Sequence, residues 1–127
     1  MISNFLKKKA NSFKYAFSGL KDLWIHESNT RIHLLFTVLV AIMCLWLKVD
    51  SGELCVLVLI IGAVWSAEAM NSALERVVDL VTLEKKPLAK AAKDLAAGSV
   101  LIMAIASVVI GLVIFLPKIA ALFVPNL

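Results

Sequence analysis

The sequence predicts an all-α membrane protein: an amphipathic surface helix followed by three membrane-spanning helices. Three observations carry that reading. Apolar residues make up 61% of the 127 residues and mean hydropathy is +0.94, well above the roughly 45–50% apolar content of soluble domains. The apolar residues gather into three long runs separated by short polar stretches. Lysine and arginine concentrate at one set of connections. A soluble chain of this length could not cover so much apolar surface, so lipid must solvate much of it.

The first element, 1–27, lacks an unbroken apolar run but is periodic. Phe13, Phe17, Leu20 and Trp24 share one face, widened by Ala16 and Leu23, while Lys7, Lys14 and Lys21 share another. Such a helix lies in the membrane interface, apolar side down. It serves either as a wall over a site at the membrane surface or as a simple anchor. Ser28-Asn29-Thr30 offers turn and N-cap chemistry. The first span is expected over 30–47, and Lys48–Glu53 reads as a polar turn. The second span is expected over 54–81, charge-free as far as Ala67. A charged loop over 82–93 follows, and then a third span over 95–116, long enough to cross. Pro117-Lys118 is expected to end that span, leaving a short apolar tail.

Basic residues orient the chain. Lys7, Lys8, Lys9, Lys14, Lys21 and Arg31 lie in or beside the N-terminal segment, and Arg76, Lys85, Lys86, Lys90 and Lys93 lie between the second and third spans. Of the 13 Lys and Arg residues, Lys48 and Lys118 alone fall on the other side. The N-terminus and the 82–93 loop are therefore expected in the cytoplasm and the C-terminus outside. No signal peptide is visible. The net charge of +4 belongs to membrane-flanking segments, so nucleic acid is not an expected partner. Cys44 and Cys55 sit inside apolar runs and read as small hydrophobes, not a disulfide framework.

The second span carries the chemistry. Glu68, Asn71, Glu75 and Asp79 follow spacings of three, four and four and fall within about 80° of one another on one helical stripe. Counting about 20 residues from Leu54 puts the cytoplasmic edge of the hydrocarbon near Ala73. Glu68 then lies roughly 7–8 Å inside it. A charged group at the bilayer centre costs roughly 2.5–3.5 kcal/mol on insertion scales, less near the edge, so Glu68 needs a partner or a purpose. Pairing with Lys93 or Arg31 to hold helices together is the structural alternative, for Asp79 as much as for Glu68. Glu27, Arg31, Lys93 and Asp94 belong to the same level. Carboxylates beside lysines at a cytoplasmic interface suit Mg²⁺ bridging phosphate oxygens, with a semi-buried glutamate taking a proton from a hydroxyl. Neither a P-loop nor the protein-kinase motif set is present. Spacing alone leaves open an enzyme, an ion or proton transporter, and a noncatalytic assembly factor. A transporter fits poorly, because the outer half of the spans offers few polar groups. His26 and His33 have no third nitrogen ligand near them and read as capping or headgroup contacts. Ala104, Ser107 and Gly111 read as a small-residue packing stripe, and Trp24, Trp46 and Trp65 as interface or packing aromatics.

The stretch Glu68-Ala-Met-Asn71-Ser72-Ala-Leu-Glu75-Arg-Val-Val-Asp79 closely resembles a signature of the small bacterial membrane kinases of the diacylglycerol kinase and undecaprenol kinase family. Pro87-Leu-Ala-Lys-Ala-Ala-Lys93-Asp94-Leu-Ala-Ala-Gly98-Ser-Val-Leu resembles its second signature. Trp24-Ile-His-Glu27 and Arg31-Ile-His33 fit its surface helix and first span, so the resemblance covers about Phe13 to Pro117. It implies a single lipid-kinase domain over 1–127 in the bacterial inner membrane, assembled as a homotrimer with shared active sites. It also implies ATP- and Mg²⁺-dependent transfer of the γ-phosphate to a lipid hydroxyl. By the resemblance, Glu68 is the catalytic base, and Glu27 and Glu75 hold the metal and nucleotide. Tyr15, Glu84, Lys85, Lys86, Lys93 and Asp94 contact nucleotide. Lys8, Trp24, Arg31, Glu68 and Asn71 meet the lipid substrate, while Asp79 belongs to the signature as a structural residue or one without an assigned role. Arg31-Ile32-His33 and the Pro87–Asp94 segment look more like the Gram-positive-type undecaprenol kinases. Diacylglycerol kinases of Gram-negative bacteria usually carry an acidic residue at the position of His33. Undecaprenol is therefore the expected acceptor and diacylglycerol the alternative.

Overall fold

The computed structural model describes residues 2–123, without the side chains of residues 2–4 and Ser28. Four helices account for nearly all of it: α1 (Ile2–His26), α2 (Ser28–Trp46), α3 (Ser51–Val81) and α4 (Pro87–Phe123). The last three are long and apolar enough to cross a membrane. At 1.5 Å per residue, α3 with its 31 residues spans about 46 Å and α4 with its 37 about 55 Å. Both outreach the roughly 30 Å hydrocarbon core, so their ends stand in the interfaces.

Each junction differs from the sequence-based boundaries for a local reason. Between α1 and α2 the chain leaves helix at one residue, Glu27, which is extended (φ −103°, ψ 116°) and occupies the N-cap position of α2. Helix resumes at Ser28, ahead of the expected Thr30. The Thr30 hydroxyl is spent elsewhere: fully buried, it donates to the Leu23 carbonyl over 3.5 Å and ties α2 to the last turn of α1.

The polar turn after α2 is shorter than expected. Lys48 takes a positive φ of 48°, and the Val49 N–H returns to the Cys44 carbonyl at 3.2 Å, a Schellman-type closure normally given to glycine. Asp50 then caps α3. Its Oδ1 accepts from the Gly52 and Glu53 amides at 2.7 and 3.0 Å, and Glu53 Oε2 accepts from the Asp50 amide at 2.9 Å. This Asp-x-x-Glu capping box starts the helix at Ser51, three residues before the apolar run.

The connection between α3 and α4 is also short. Residues 82–86 are non-helical and α4 begins at Pro87, where a missing N–H costs nothing and the ring pre-sets φ. The expected 82–93 loop is therefore half helix, and Lys90, Lys93 and Asp94 stand on the first two turns of α4. At the other end α4 continues through Pro117 to Phe123, so Pro117 does not end the span. Proline forfeits one bond within a helix, a loss that membrane helices tolerate. The expected apolar tail is described only to Phe123, where it is helix; 124–127 lie outside the described residues.

The three long apolar helices α2, α3 and α4 run alternately up and down. α3 and α4 make the most extensive contact and are pinned at both ends by ion pairs: Lys93 Nζ to Asp79 Oδ1 at 2.6 Å, and Lys118 Nζ to Glu53 Oε2 at 2.9 Å. Leu47, Leu57 and Phe115 form a small core where α2, α3 and α4 meet, near the Glu53–Lys118 end. Most other large apolar side chains on the spans face outward, as expected when lipid is the solvent.

Candidate functional site

The polar stripe of α3 lies toward α1 and α2 at the basic end of the bundle. Glu68 is 2% exposed, and its Oε2 has no hydrogen-bond partner among the described residues. The nearest cationic or ionisable nitrogen is His33 Nε2 on α2, at 3.8 Å. Asn29, from the first turn of α2, lies beside the same carboxylate. One turn along, buried Asn71 donates from Nδ2 to Glu75 Oε1 at 3.3 Å, while its own Oδ1 is unpartnered. Ser72 is buried with its Oγ unpartnered as well. Three enclosed polar atoms within five residues of one helix thus lack protein partners, where such atoms are normally satisfied.

Arg76 closes the site on the α1 side. Its guanidinium pairs with Asp22 through Nη1 and with Glu27 Oε1 through Nη2 at 3.4 Å. Asp22 also meets His26 Nδ1 at 3.0 Å. The Arg76 hydrogen bond, with His26 assisting, holds the Asp22 carboxyl below its ordinary value of 3.8. This fork fixes the last turn of α1 and the extended Glu27 against α3. A hollow of about 290 Å³ between α1 and α3 is lined by Gly19, Ser72 and Arg76 among others.

On the membrane side a larger groove, about 550 Å³, opens across α3 between α2 and α4. His33 stands at its head and Phe115 toward its foot, and along α2 it runs from Ile32 to Met43, about 16 Å. Its walls are apolar except for His33, Thr37, Trp65 and Ser107. Trp65 Nε1 donates to Thr37 Oγ1 at 3.1 Å, and Thr37 Oγ1 donates to the His33 carbonyl at 2.8 Å. Ala104, Ser107 and Gly111, read as a packing stripe, line this groove, so within one chain their small side chains make room.

The residues singled out by the sequence fall into three groups. Glu27, Glu68, Asn71 and Glu75 gather around the α1–α2 break, with Glu27 and Glu75 both within electrostatic reach of Glu68. Asp79 and Lys93 pair with each other, and Asp94 pairs with Lys90 on its own helix. Glu84 pairs with Lys86 at 3.3 Å in the connector, where Lys85 is exposed. Lys8, Tyr15, Trp24 and Arg31 are exposed on α1 and the start of α2, with no bond to the stripe among the described residues. Two contributors had no assigned site role in the sequence. Arg76 is adjacent to Glu75, but its partners lie about fifty residues away. His33 shares the Arg31-Ile-His33 segment, yet its approach to Glu68 depends on how α2 is rotated against α3.

Among the described residues no three His, Cys, Asp or Glu side chains gather into a metal-sized set. Mg²⁺ does not need one, since it usually takes one or two carboxylates and completes its shell with phosphate oxygens and water. The donors present suit such an ion: Glu75 and the unpartnered Asn71 Oδ1 on adjoining turns of α3, with Glu27 at the α1–α2 break, are hard oxygen donors.

Comparison with known proteins gives the family. The family model described as prokaryotic diacylglycerol kinase matches residues 14–115. An undecaprenol kinase of Bacillus subtilis (strain 168) is 40% identical over 115 residues, covering 91% of this chain and 94% of the relative. A diacylglycerol kinase of Synechocystis sp. is 40% identical over 114 residues, 89% of this chain and 65% of the relative. A diacylglycerol kinase of Escherichia coli (strain K12) is 34% identical over 95 residues, 75% of this chain and 78% of the relative. With its signature stripe on α3 and three helices able to span a bilayer, the chain is a lipid kinase and belongs to the prokaryotic diacylglycerol kinase family.

Proposed function

We propose that the protein transfers the γ-phosphate of ATP, taken as its Mg²⁺ complex, to the hydroxyl of a membrane lipid, with undecaprenol favoured over diacylglycerol. The observation that carries this reading is Glu68: a buried carboxylate with a free oxygen, 3.8 Å from the His33 ring that stands at the head of an apolar groove. A lipid lying along the groove brings its hydroxyl to the membrane surface beside that oxygen. There Glu68 acts as the general base.

Glu75 and Glu27 hold the metal–nucleotide, with Asn71 Oδ1 as a further oxygen. When bound, Mg²⁺ neutralises charge on the phosphates and aligns them. Glu27 becomes available as the Arg76 fork releases it. Lys93 and Asp94 stand at the start of α4, with Glu84, Lys85 and Lys86 in the connector and Tyr15 on α1, and they meet the nucleotide. Lys8, Trp24 and Arg31 meet the lipid headgroup region. Asp79, paired with Lys93, positions that lysine. The distribution of lysine and arginine supports a cytoplasmic N-terminus, in a bacterial inner membrane, and an outside C-terminus. The outward apolar faces and the unpartnered polar atoms support assembly with further copies, a homotrimer on the family resemblance. Undecaprenol is favoured because a relative matched over 94% of its length is an undecaprenol kinase.

The test is a side-by-side assay of purified protein in mixed micelles with Mg²⁺-ATP and either undecaprenol or short-chain diacylglycerol. Phosphorylated undecaprenol should form at the higher kcat/KM. A preference for diacylglycerol would reverse the acceptor assignment, and no product from either lipid at any Mg²⁺ concentration would end the reading. Glu68→Gln should lower kcat by about 10²–10⁴-fold with helix content unchanged.

A further inference from the structure

A base as enclosed as Glu68 must dispose of the proton it accepts before it can act again. The neighbouring groups differ in their ability to take it. Glu27 is engaged by Arg76, and Glu75 accepts from Asn71. Lys93 is committed to Asp79 at 2.6 Å. His33 approaches the free Glu68 oxygen and is itself partly exposed, at 18% of its side chain. Imidazole can take a proton on one nitrogen and give one up from the other. The ring is also mounted on a braced segment, because Thr37 Oγ1 holds the His33 carbonyl and Trp65 of α3 holds Thr37 Oγ1. The same histidine lines the apolar groove, so it touches both the path of the lipid and the base.

We propose that His33 is a positioning residue for Glu68 and the acceptor of the proton that Glu68 removes from the lipid hydroxyl. This rests on Glu68 being the base. The lipid oxygen forms its bond to the γ-phosphorus as the bond from that phosphorus to the bridging oxygen of ADP breaks. The hydroxyl electron pair stays on the lipid oxygen, and its proton goes to Glu68 Oε2. The proton passes to Nε2 of neutral His33, restoring the carboxylate, and the imidazolium returns it to water at the basic end of the bundle. The 3.8 Å separation exceeds a hydrogen bond, but catalytic contacts often stand long until the reacting complex forms.

Full-length protein in mixed micelles is assayed with Mg²⁺-ATP and lipid alcohol for wild type, His33→Ala, His33→Gln and Glu68→Gln. His33→Ala should lose about 10²-fold or more in kcat while KM for both substrates stays within about twofold. Added imidazole should restore about tenfold or more of that loss in His33→Ala, and nothing in wild type or His33→Gln. An unchanged kcat in His33→Ala, or a loss that imidazole does not relieve, overturns the proposal. Should His33→Ala lose its helical circular dichroism, His33→Gln decides, because full activity in that variant removes the relay. Glu68→Gln separates the two readings. If it retains activity, the base assignment itself fails; if it is inactive while His33 variants are unimpaired, the relay alone fails.

Discussion

Replacing Trp65 by phenylalanine removes the Nε1–H that reaches Thr37 Oγ1 at 3.1 Å across α2 and α3. Thr37 keeps its other bond, to the His33 carbonyl at 2.8 Å, so no buried group is left without a partner. Interhelical hydrogen bonds in membranes average about 0.6 kcal/mol and reach about 1.7, and that range sets the bond's contribution. Thr37→Val acts differently, stranding the indole N–H beside an apolar groove at about 1–3 kcal/mol. Once Thr37 is valine, Trp65→Phe also removes a stranded donor and costs less than in wild type. A double-mutant cycle should therefore return a coupling of about 0.6–1.7 kcal/mol. Unfolding in mixed micelles on titration with SDS, followed by circular dichroism, measures all four corners. A coupling under about 0.3 kcal/mol, within ordinary additivity, would show that the two side chains do not bond.

Three further outcomes follow from single contacts. Asp22 is held below its ordinary pKa by Arg76, so its contribution to docking α1 is present above pH 3.8 and lost as pH falls through the lowered value; pepsin should cut α1 increasingly below about pH 3.8, whereas Arg76→Gln should be cut with much weaker pH dependence. Lys48→Gly relieves a left-handed residue and should stabilise the protein by about 0.5–1 kcal/mol in SDS titrations. Asn71→Leu removes an unpartnered buried oxygen; it should raise the SDS midpoint of the ligand-free protein and abolish any further rise on adding Mg²⁺-ATP analogue and lipid alcohol.

Which parts were legible in the sequence follows from which parts are local. The stripe from Glu68 to Asp79 was readable because helical spacing alone places those residues on one face. The capping box at Asp50 and Glu53 was equally local, but the stretch reads as polar turn when attention is on where hydrophobicity begins. Pro87 and Pro117 look alike as breakers, yet the first opens a helix and the second sits inside one. The difference lies in position along α4 and in neighbouring membrane helices that sustain a proline. Arg76 with Asp22 and Glu27, and His33 with Glu68, join residues 35 to 54 positions apart. Such contacts depend on the rotation and register of packed helices, which periodicity leaves undetermined.

The unpartnered oxygens of Glu68, Asn71 and Ser72 are the most informative cost in the molecule. Each buried polar atom without a partner costs about 1–3 kcal/mol, so the three together approach the roughly 5–15 kcal/mol by which folded proteins are stable at all. Against that cost the chain buries few apolar side chains of its own: Leu23, Leu47, Leu57, Val64 and Phe115. Alanine at 72 would be the better choice for stability, and at 71 polarity returns only the 3.3 Å bond from Asn71 Nδ2 to Glu75. The cost is justified only if something else supplies the missing partners. A second copy could satisfy Ser72 from the side, whereas Glu68 lies against His33 at the head of the groove and Asn71 against the Glu75 carboxylate. On the proposed function, a lipid hydroxyl and a metal–nucleotide would complete the atoms that the fold leaves unsatisfied, and binding would then recover the cost of leaving them so.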